Sequence, residues 1–151
     1  MELFNVSEAG QMARSGKLLD RAAKRFRDLM TASPCPACDE LGVTFTADPV
    51  DEFDFTAVVH RVRLAVRYEH KVTTGSFGRR VDGVFQAYLD EPLSACKTSV
   101  VSLTFNQHGK ANSPGDLVEF LLPDAVYEDV VRQNYALLLA QHVQRLIQAK
   151  V

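Results

Sequence analysis

The clearest pattern in the chain is an alternation of apolar and polar residues between positions 55 and 72. The apolar positions are Val62, Leu64, Val66 and Tyr68, and the polar positions are Arg61, Arg63, Arg67, Glu69 and Lys71. A period of two residues is typical of a strand with one buried and one solvated face. The pattern therefore predicts one long strand over residues 55–72.

Weaker versions of the same pattern predict further strands at residues 43–47, 81–89 and 97–106. Residues 73–80 contain Gly75 and Gly78 and are expected to form a hairpin loop. Residues 106–115 are polar and contain glycine and proline, so a loop is expected there as well. Residues 117–122 fit either a last strand or the first turn of a helix.

Helical periodicity occurs at both ends of the sequence. Over residues 5–31 the apolar positions recur every three or four residues, at Met12, Leu19, Ala22, Ala23, Phe26, Leu29 and Met30. Asn5 and Glu8 resemble a capping box, which satisfies free amides at a helix start. Gly16 weakens a helix interior by about 1 kcal/mol, so two shorter helices that break near Ser15 are an alternative. Residues 124–149 predict a second helix, with an apolar stripe formed by Val131, Tyr135, Leu138, Leu139, His142, Val143, Leu146 and Ile147.

The order of these elements predicts an α+β fold. Sequential strands with short connections favour an antiparallel sheet, here of four to five strands, with both helices packed on one face. A chain of 151 residues has the size of one domain, and no linker or repeat divides it.

Composition limits the possible classes of protein. No apolar run approaches the roughly 20 residues of a membrane span, and the first residues lack the features of a secretory signal. Three cysteines, an odd number, do not suggest a disulfide scaffold. We therefore expect a cytoplasmic protein, and the excess of valine over isoleucine and of arginine over lysine favours a bacterial origin.

Cys35 and Cys38 are the first candidates for chemistry, because two thiolates at this spacing can bind one zinc ion. Completing the site would require Cys96 and one histidine, from among His60, His70, His108 and His142. A redox pair is the other functional interpretation, but such a motif usually follows a strand and opens a helix, whereas this one follows a helix. We expect reduced thiols, no zinc and no other cofactor.

No catalytic motif is present in the sequence. A nucleophile elbow, a phosphate-binding loop, a dinucleotide fingerprint and a zinc-protease motif are all absent. His108 lies in the most polar segment, residues 106–112, where a solvated turn is the plain interpretation and an enzyme or small-molecule site is the third functional hypothesis. We expect no enzymatic activity.

Charge is distributed unevenly along the chain. Residues 34–59 contain six acidic and no basic side chains, whereas residues 60–80 contain six basic and one acidic. Such segments either form a binding surface or neutralise each other within the fold. The predicted partner-binding residues lie on and near the basic hairpin: Arg61, Arg63, Arg67, Lys71, Phe77, Arg79 and Arg80.

These residues lead to two hypotheses of macromolecular binding. In the first, the exposed face of the hairpin over residues 55–89 binds a protein, and the chain is a non-catalytic regulatory protein. In the second, the hairpin binds nucleic acid, with its arginines on phosphates and Phe77 stacked on a base. A stripe on the first helix would then extend the surface, through Arg14, Lys17, Arg21, Lys24 and Arg25. The isoelectric point of about 6.1 disfavours nucleic acid, because dedicated nucleic-acid domains are often above 9.

Overall fold

The fold consists of one antiparallel sheet and three helices among the described residues. The structure is a computed structural model that describes residues 6–75, 78–91, 97–113, 119–121 and 128–149. The helices are α1 (Val6–Thr31), α2 (Pro36–Glu40) and α3 (Glu128–Ala149). The strands are β1 (Val43–Ala47), β2 (Phe55–Val59), β3 (Val62–Gly75), β4 (Gly78–Leu89), β5 (Ser99–Phe105), β6 (Lys110–Asn112) and β7 (Glu119–Leu121). Strands that are adjacent in sequence are adjacent in the sheet. The α+β class and the antiparallel sheet are therefore confirmed.

The first helix is continuous, so the alternative of a break near Ser15 is wrong. Gly16 is buried, and a Cβ atom there would lie 3.1 Å from Cε1 of His70 on β3. A small residue at this position thus lets the helix approach the sheet. The buried positions of α1 are Gly16, Leu19, Ala23, Phe26 and Met30, in agreement with the predicted apolar face. Asn5 of the expected capping box lies outside the described residues.

The prediction of one strand over residues 55–72 was wrong, because a two-residue turn divides it. Val59 pairs with Val62, and His60 and Arg61 between them have φ angles of 50° and 64°. Positive φ at both central residues is the feature of a type I′ hairpin turn, which Asn-Gly and Asp-Gly usually form. His-Arg carries no such signal in sequence. After the turn the predicted alternation holds, with Leu64 and Val66 fully buried.

The sheet has seven strands among the described residues, more than the four to five predicted. One further strand comes from the division of residues 55–72 into β2 and β3, and another is β6, which is three residues long and lies inside the predicted loop over residues 106–115. β7 shows that residues 119–121 are strand, the first of the two alternatives for residues 117–122. The β3–β4 hairpin also extends into the predicted loop, since Gly75 pairs with Gly78.

Aromatic rings join both long helices to the sheet. The ring of Phe26 on α1 lies 6.1 Å from that of Phe55 on β2 and 4.8 Å from that of Phe85 on β4. Tyr135 on α3 lies 5.0 Å from Phe26 and 6.2 Å from Phe55, and all four side chains are buried. The two helices therefore contact the same side of the sheet.

The last helix is anchored by a buried arginine as well as by its apolar stripe. Arg132 is 9% exposed, and its guanidinium donates hydrogen bonds to the carbonyl oxygens of Pro34 and Ala32, just before α2. The helix begins at Glu128, and residues 124–127 of the predicted helix lie outside the described residues. Within the described ranges, no helix combines the length and apolar character that crossing a membrane requires.

Two adjacent leucines of α3 provide a matched test of burial. The side chain of Leu138 belongs to the core at 1% exposure, whereas Leu137 is 39% exposed. Replacing a buried leucine by alanine costs about 2–5 kcal/mol because it leaves a cavity. We expect Leu138→Ala to lower the free energy of unfolding by that amount and Leu137→Ala by less than about 1 kcal/mol. Chemical denaturation measures both, and similar losses would contradict the observed packing.

Gly83 on β4 leaves the space that the ring of Phe105 on β5 occupies. It pairs with Phe105, and a Cβ atom at Gly83 would overlap the Phe105 ring. Overpacking of this kind costs about 1–3 kcal/mol, so we expect Gly83→Ala to destabilise the protein by that amount. The same change in a Phe105→Leu background should cost clearly less in a double-mutant cycle. An equal cost in both backgrounds would show that the ring is not the obstacle.

Candidate functional site

The side of the sheet away from α1 and α3 displays a row of cations. In the β3–β4 register Lys71 pairs with Asp82 and Thr73 pairs with Arg80, and paired residues point to the same side. The odd-numbered residues of β3 therefore share a side with Arg80, opposite the buried Leu64 and Val66. We call four exposed side chains on this side the basic face: Arg63, Arg67, Lys71 and Arg80.

The four cations differ in their partners. Arg67 lies 3.5 Å from the carboxylate of Asp54, and Nε of Arg80 lies 3.3 Å from the carboxylate of Asp82. Within the described part of the chain, no ion pair joins Arg63 or Lys71 to another side chain. These two cations are therefore available to a partner without the loss of an ion pair among the described residues.

Three of the predicted partner-binding residues do not join the basic face. Arg61 lies in the β2–β3 turn rather than in a strand, so its predicted place on the strand face was wrong. Arg79 points to the helical side, where its Nε lies 3.1 Å from the carboxylate of Glu8 on α1. Phe77 lies outside the described residues.

The acidic segment after β1 is used mainly to build its own loop. The Asp48 carboxylate accepts hydrogen bonds from the amides of Asp51 and Val50, which hold its pKa below the usual range. The guanidinium of Arg27 on α1 donates to the carbonyl oxygens of Asp48 and Glu52. Asp54 contacts the basic face through Arg67. Internal bonds thus account for much of the acidic segment, and among the described residues Asp54 is its carboxylate that forms an ion pair with the basic face.

A cleft of about 260 Å³ continues the basic face toward β6. Its lining residues are Arg80, Asp82, Thr104, Phe105, Asn106, Lys110 and Asn112. A second cavity of about 170 Å³ shares Arg80, Asp82 and Asn106 and extends between α1 and the β5–β6 turn. The structure thus brings the basic hairpin and the polar segment around His108 together, although they appeared as separate features in sequence.

Asn106 shapes this cleft by closing the β5–β6 turn. Its side-chain oxygen accepts hydrogen bonds from the amides of His108 at 3.0 Å and Lys110 at 3.1 Å. The amide of Gly109, whose φ is 81°, donates to the Asn106 carbonyl at 2.9 Å. With its oxygen engaged in this way, the side-chain NH2 group of Asn106, which lines the cleft, remains a hydrogen-bond donor.

His108 lines the second cavity as an exposed side chain, 3.4 Å from the amide nitrogen of Gln107. The Ser15 hydroxyl of α1 donates a hydrogen bond to the side-chain carbonyl oxygen of Gln107 at 2.7 Å. No ion pair or hydrogen bond links His108 to a carboxylate or hydroxyl among the described residues, so a triad-like arrangement is not formed here.

One cluster of polar side chains was not predicted from the sequence. The hydroxyl of Tyr68 donates to the carboxylate of Asp20 on α1 at 2.8 Å, and Nε2 of His70 lies 2.8 Å from the same oxygen. Burial, followed by the hydrogen bond to Asp20, raises the pKa of Tyr68 above its usual range. The two β3 residues share a side by parity, but their partner is about fifty positions away in sequence. This cluster binds α1 to the sheet.

The expectation of reduced thiols at Cys35 and Cys38 was wrong, because the structure joins them by a disulfide. The objection that the motif does not open a helix was also wrong, since Cys35 is the N-cap of α2. Cys96 lies outside the described residues. Within the described ranges, no three His, Cys, Asp or Glu side chains are grouped to hold a metal ion.

Comparisons with known proteins found no match to this chain among family models, curated proteins or solved structures.

The turn at Asn106 can be tested with a pair of variants. Asn106→Ala removes both side-chain hydrogen bonds, whereas Asn106→Asp keeps an acceptor in the same place. We expect the alanine variant to lose about 1 kcal/mol of stability and its protection of the His108 and Lys110 amides from hydrogen exchange. The aspartate variant should retain both. Equal loss of protection in the two variants would show that the side-chain oxygen does not hold the turn.

Proposed function

We propose that this chain is a non-catalytic, cytoplasmic regulatory protein that binds an acidic segment of another protein across its basic face. The observation that carries the proposal is the placement of Arg63 and Lys71. Both are exposed on the side of the sheet away from the helices, and neither forms an ion pair in the described part of the chain. An acidic partner would supply the missing counter-charges.

Charge also explains why a protein is favoured over nucleic acid. Glu69 is exposed among the cations on the same side of the sheet and would repel a phosphate backbone. A protein partner can place a basic residue opposite this carboxylate, so a mixed pattern favours protein recognition.

The location of the basic stripe on α1 supports the same choice. Lys17 and Arg21 are exposed on the helical side, whereas the basic face is on the other side of the sheet. The stripe and most of the basic face therefore lie on opposite sides of the sheet. In this proposal the stripe is a solvated helix face, and Arg80 is the member of the basic face that lies at the cleft.

The cleft beside the basic face gives the partner an anchoring position. Lys110 contributes a positive charge, Asn106 a donor, and Thr104 and Asn112 further polar groups. An acidic side chain at the end of the bound segment would meet this set of donors. In this proposal the cleft provides register, while Arg63 and Lys71 provide most of the charge attraction.

Matched charge reversals test the proposal. Arg63→Glu with Lys71→Glu alters the basic face, and Lys17→Glu with Arg21→Glu makes the same change in net charge on α1. Arg67 is left intact because its replacement by glutamate would place two carboxylates together. Each exposed substitution should change stability by no more than about 0.5 kcal/mol, which denaturation checks.

Binding is measured by fluorescence anisotropy with a labelled peptide rich in glutamate and aspartate, and with a single-stranded DNA oligonucleotide of equal charge. We expect the face variant to bind the peptide at least about tenfold more weakly, a change of about 1.4 kcal/mol, and the α1 variant to bind as the wild type does. Tighter binding of DNA than of peptide, lost in the face variant and falling steeply with salt, would replace the proposal with the nucleic-acid hypothesis. Equal peptide binding by both folded variants would refute it.

A further inference from the structure

The disulfide between Cys35 and Cys38 lies where α2 begins, on a part of the molecule separate from the basic face. Cys35 is the N-cap residue, Pro36 opens the helix, and the two Cα atoms are 5.3 Å apart. We propose that this pair is a reversible dithiol/disulfide couple that exchanges with low-molecular-weight thiols through the sulfur of Cys35. The inference is independent of the proposed binding surface and rests on the proposed function only for the cytoplasmic location.

The two sulfurs differ in accessibility. Cys38 is 2% exposed and belongs to the hydrophobic core, whereas Cys35 is partly exposed at its edge. Thiol–disulfide exchange requires an approach to one sulfur, and an incoming thiolate can reach Cys35 but not Cys38. The structure therefore assigns Cys35 as the reacting residue and Cys38 as the internal resolving residue.

The backbone around Cys35 is suited to the reduced form. The amide of Cys38 donates a hydrogen bond to the Cys35 sulfur at 3.3 Å. A donor in this position stabilises the thiolate, which is the nucleophilic form of cysteine. The same contact holds the Cys35 sulfur beside its partner, so the disulfide can reform without a large movement of the chain.

A purely structural role accounts less well for this pair. The disulfide closes a sequence separation of only three residues, and the stabilisation that a cross-link gives is smallest for the shortest loops. The adjoining segment is already held by Arg132, which donates to the carbonyl oxygens of Ala32 and Pro34. In the cytoplasm, where we propose that the protein acts, disulfides are typically transient rather than structural.

The exchange is balanced with a monothiol as the reductant. A first thiolate attacks the Cys35 sulfur, the bond between Cys35 and Cys38 breaks, and Cys38 leaves as a thiolate that takes a proton from solvent. A second thiolate attacks the external sulfur of the mixed disulfide and releases Cys35 as a thiolate. The pair gains two electrons, and two monothiols are oxidised to one disulfide.

The test uses the full chain in a Cys96→Ser background and buffers that contain reduced and oxidised glutathione. After equilibration, free thiols are alkylated and counted by mass spectrometry. We expect Cys35 and Cys38 to pass together between zero and two alkylations, with the same midpoint from either direction. A pair that stays fully reduced at every ratio, or one zinc ion bound per chain that blocks alkylation, would overturn the proposal.

Two further measurements identify the reacting sulfur. In Cys38→Ser the glutathione mixed disulfide should accumulate on Cys35, whereas in Cys35→Ser the folded protein should leave Cys38 unmodified. In case a variant does not fold, the reduced protein that retains both residues is labelled with iodoacetamide and digested. Cys35 should then react at least about tenfold faster than Cys38, in keeping with its exposure. Equal rates, or faster labelling of Cys38, would contradict the assignment.

Discussion

The packing of the Phe26 ring against other aromatic rings is the interaction on which the arrangement of the helices and the sheet depends. It lies within 6.1 Å of Phe55 and Phe85 on the sheet, and within 5.0 Å of Tyr135 on α3. Aromatic pairs at these distances add specific geometry to the burial of apolar area. Because Phe26 bridges both long helices and two strands, it determines which side of the sheet is covered. The other side is left for the polar residues of β3 and β4.

The periodicity of apolar residues within each long element was enough to predict most of the helices and strands. The apolar positions of α1 and the alternation from Val62 to Tyr68 both correspond to the observed burial, because each pattern extends over several residues. The turn at His60 and Arg61 was missed because its residue types are uncommon where φ is positive. β6 was missed, and residues 117–122 were left open between strand and helix, because three residues are too few to show a period.

Prediction of the candidate site depended on where each strand begins. Arg79 and Arg80 were treated as one group, but β4 starts at Gly78, so the two side chains point to opposite sides of the sheet. The cleft could not be predicted, since Arg80 and Asn106 are brought together by the pairing of β4 with β5. The disulfide was likewise missed, because the short helix that follows Cys35 carries no pattern that distinguishes it from a loop.

Core packing and the cleft are linked at the pairing of Gly83 with Phe105. The absence of a side chain at Gly83 lets the Phe105 ring lie over β4, and Phe105 ends β5 immediately before Asn106. The position of the Asn106 turn, and hence of the donors in the cleft, therefore follows from a contact in the core. Arg63 and Lys71 lie along β3, whose register is fixed by β2 and β4. Changes in the core at this point should consequently disturb the cleft, including Arg80, before they disturb Arg63, which lies farthest from Gly83 along β3.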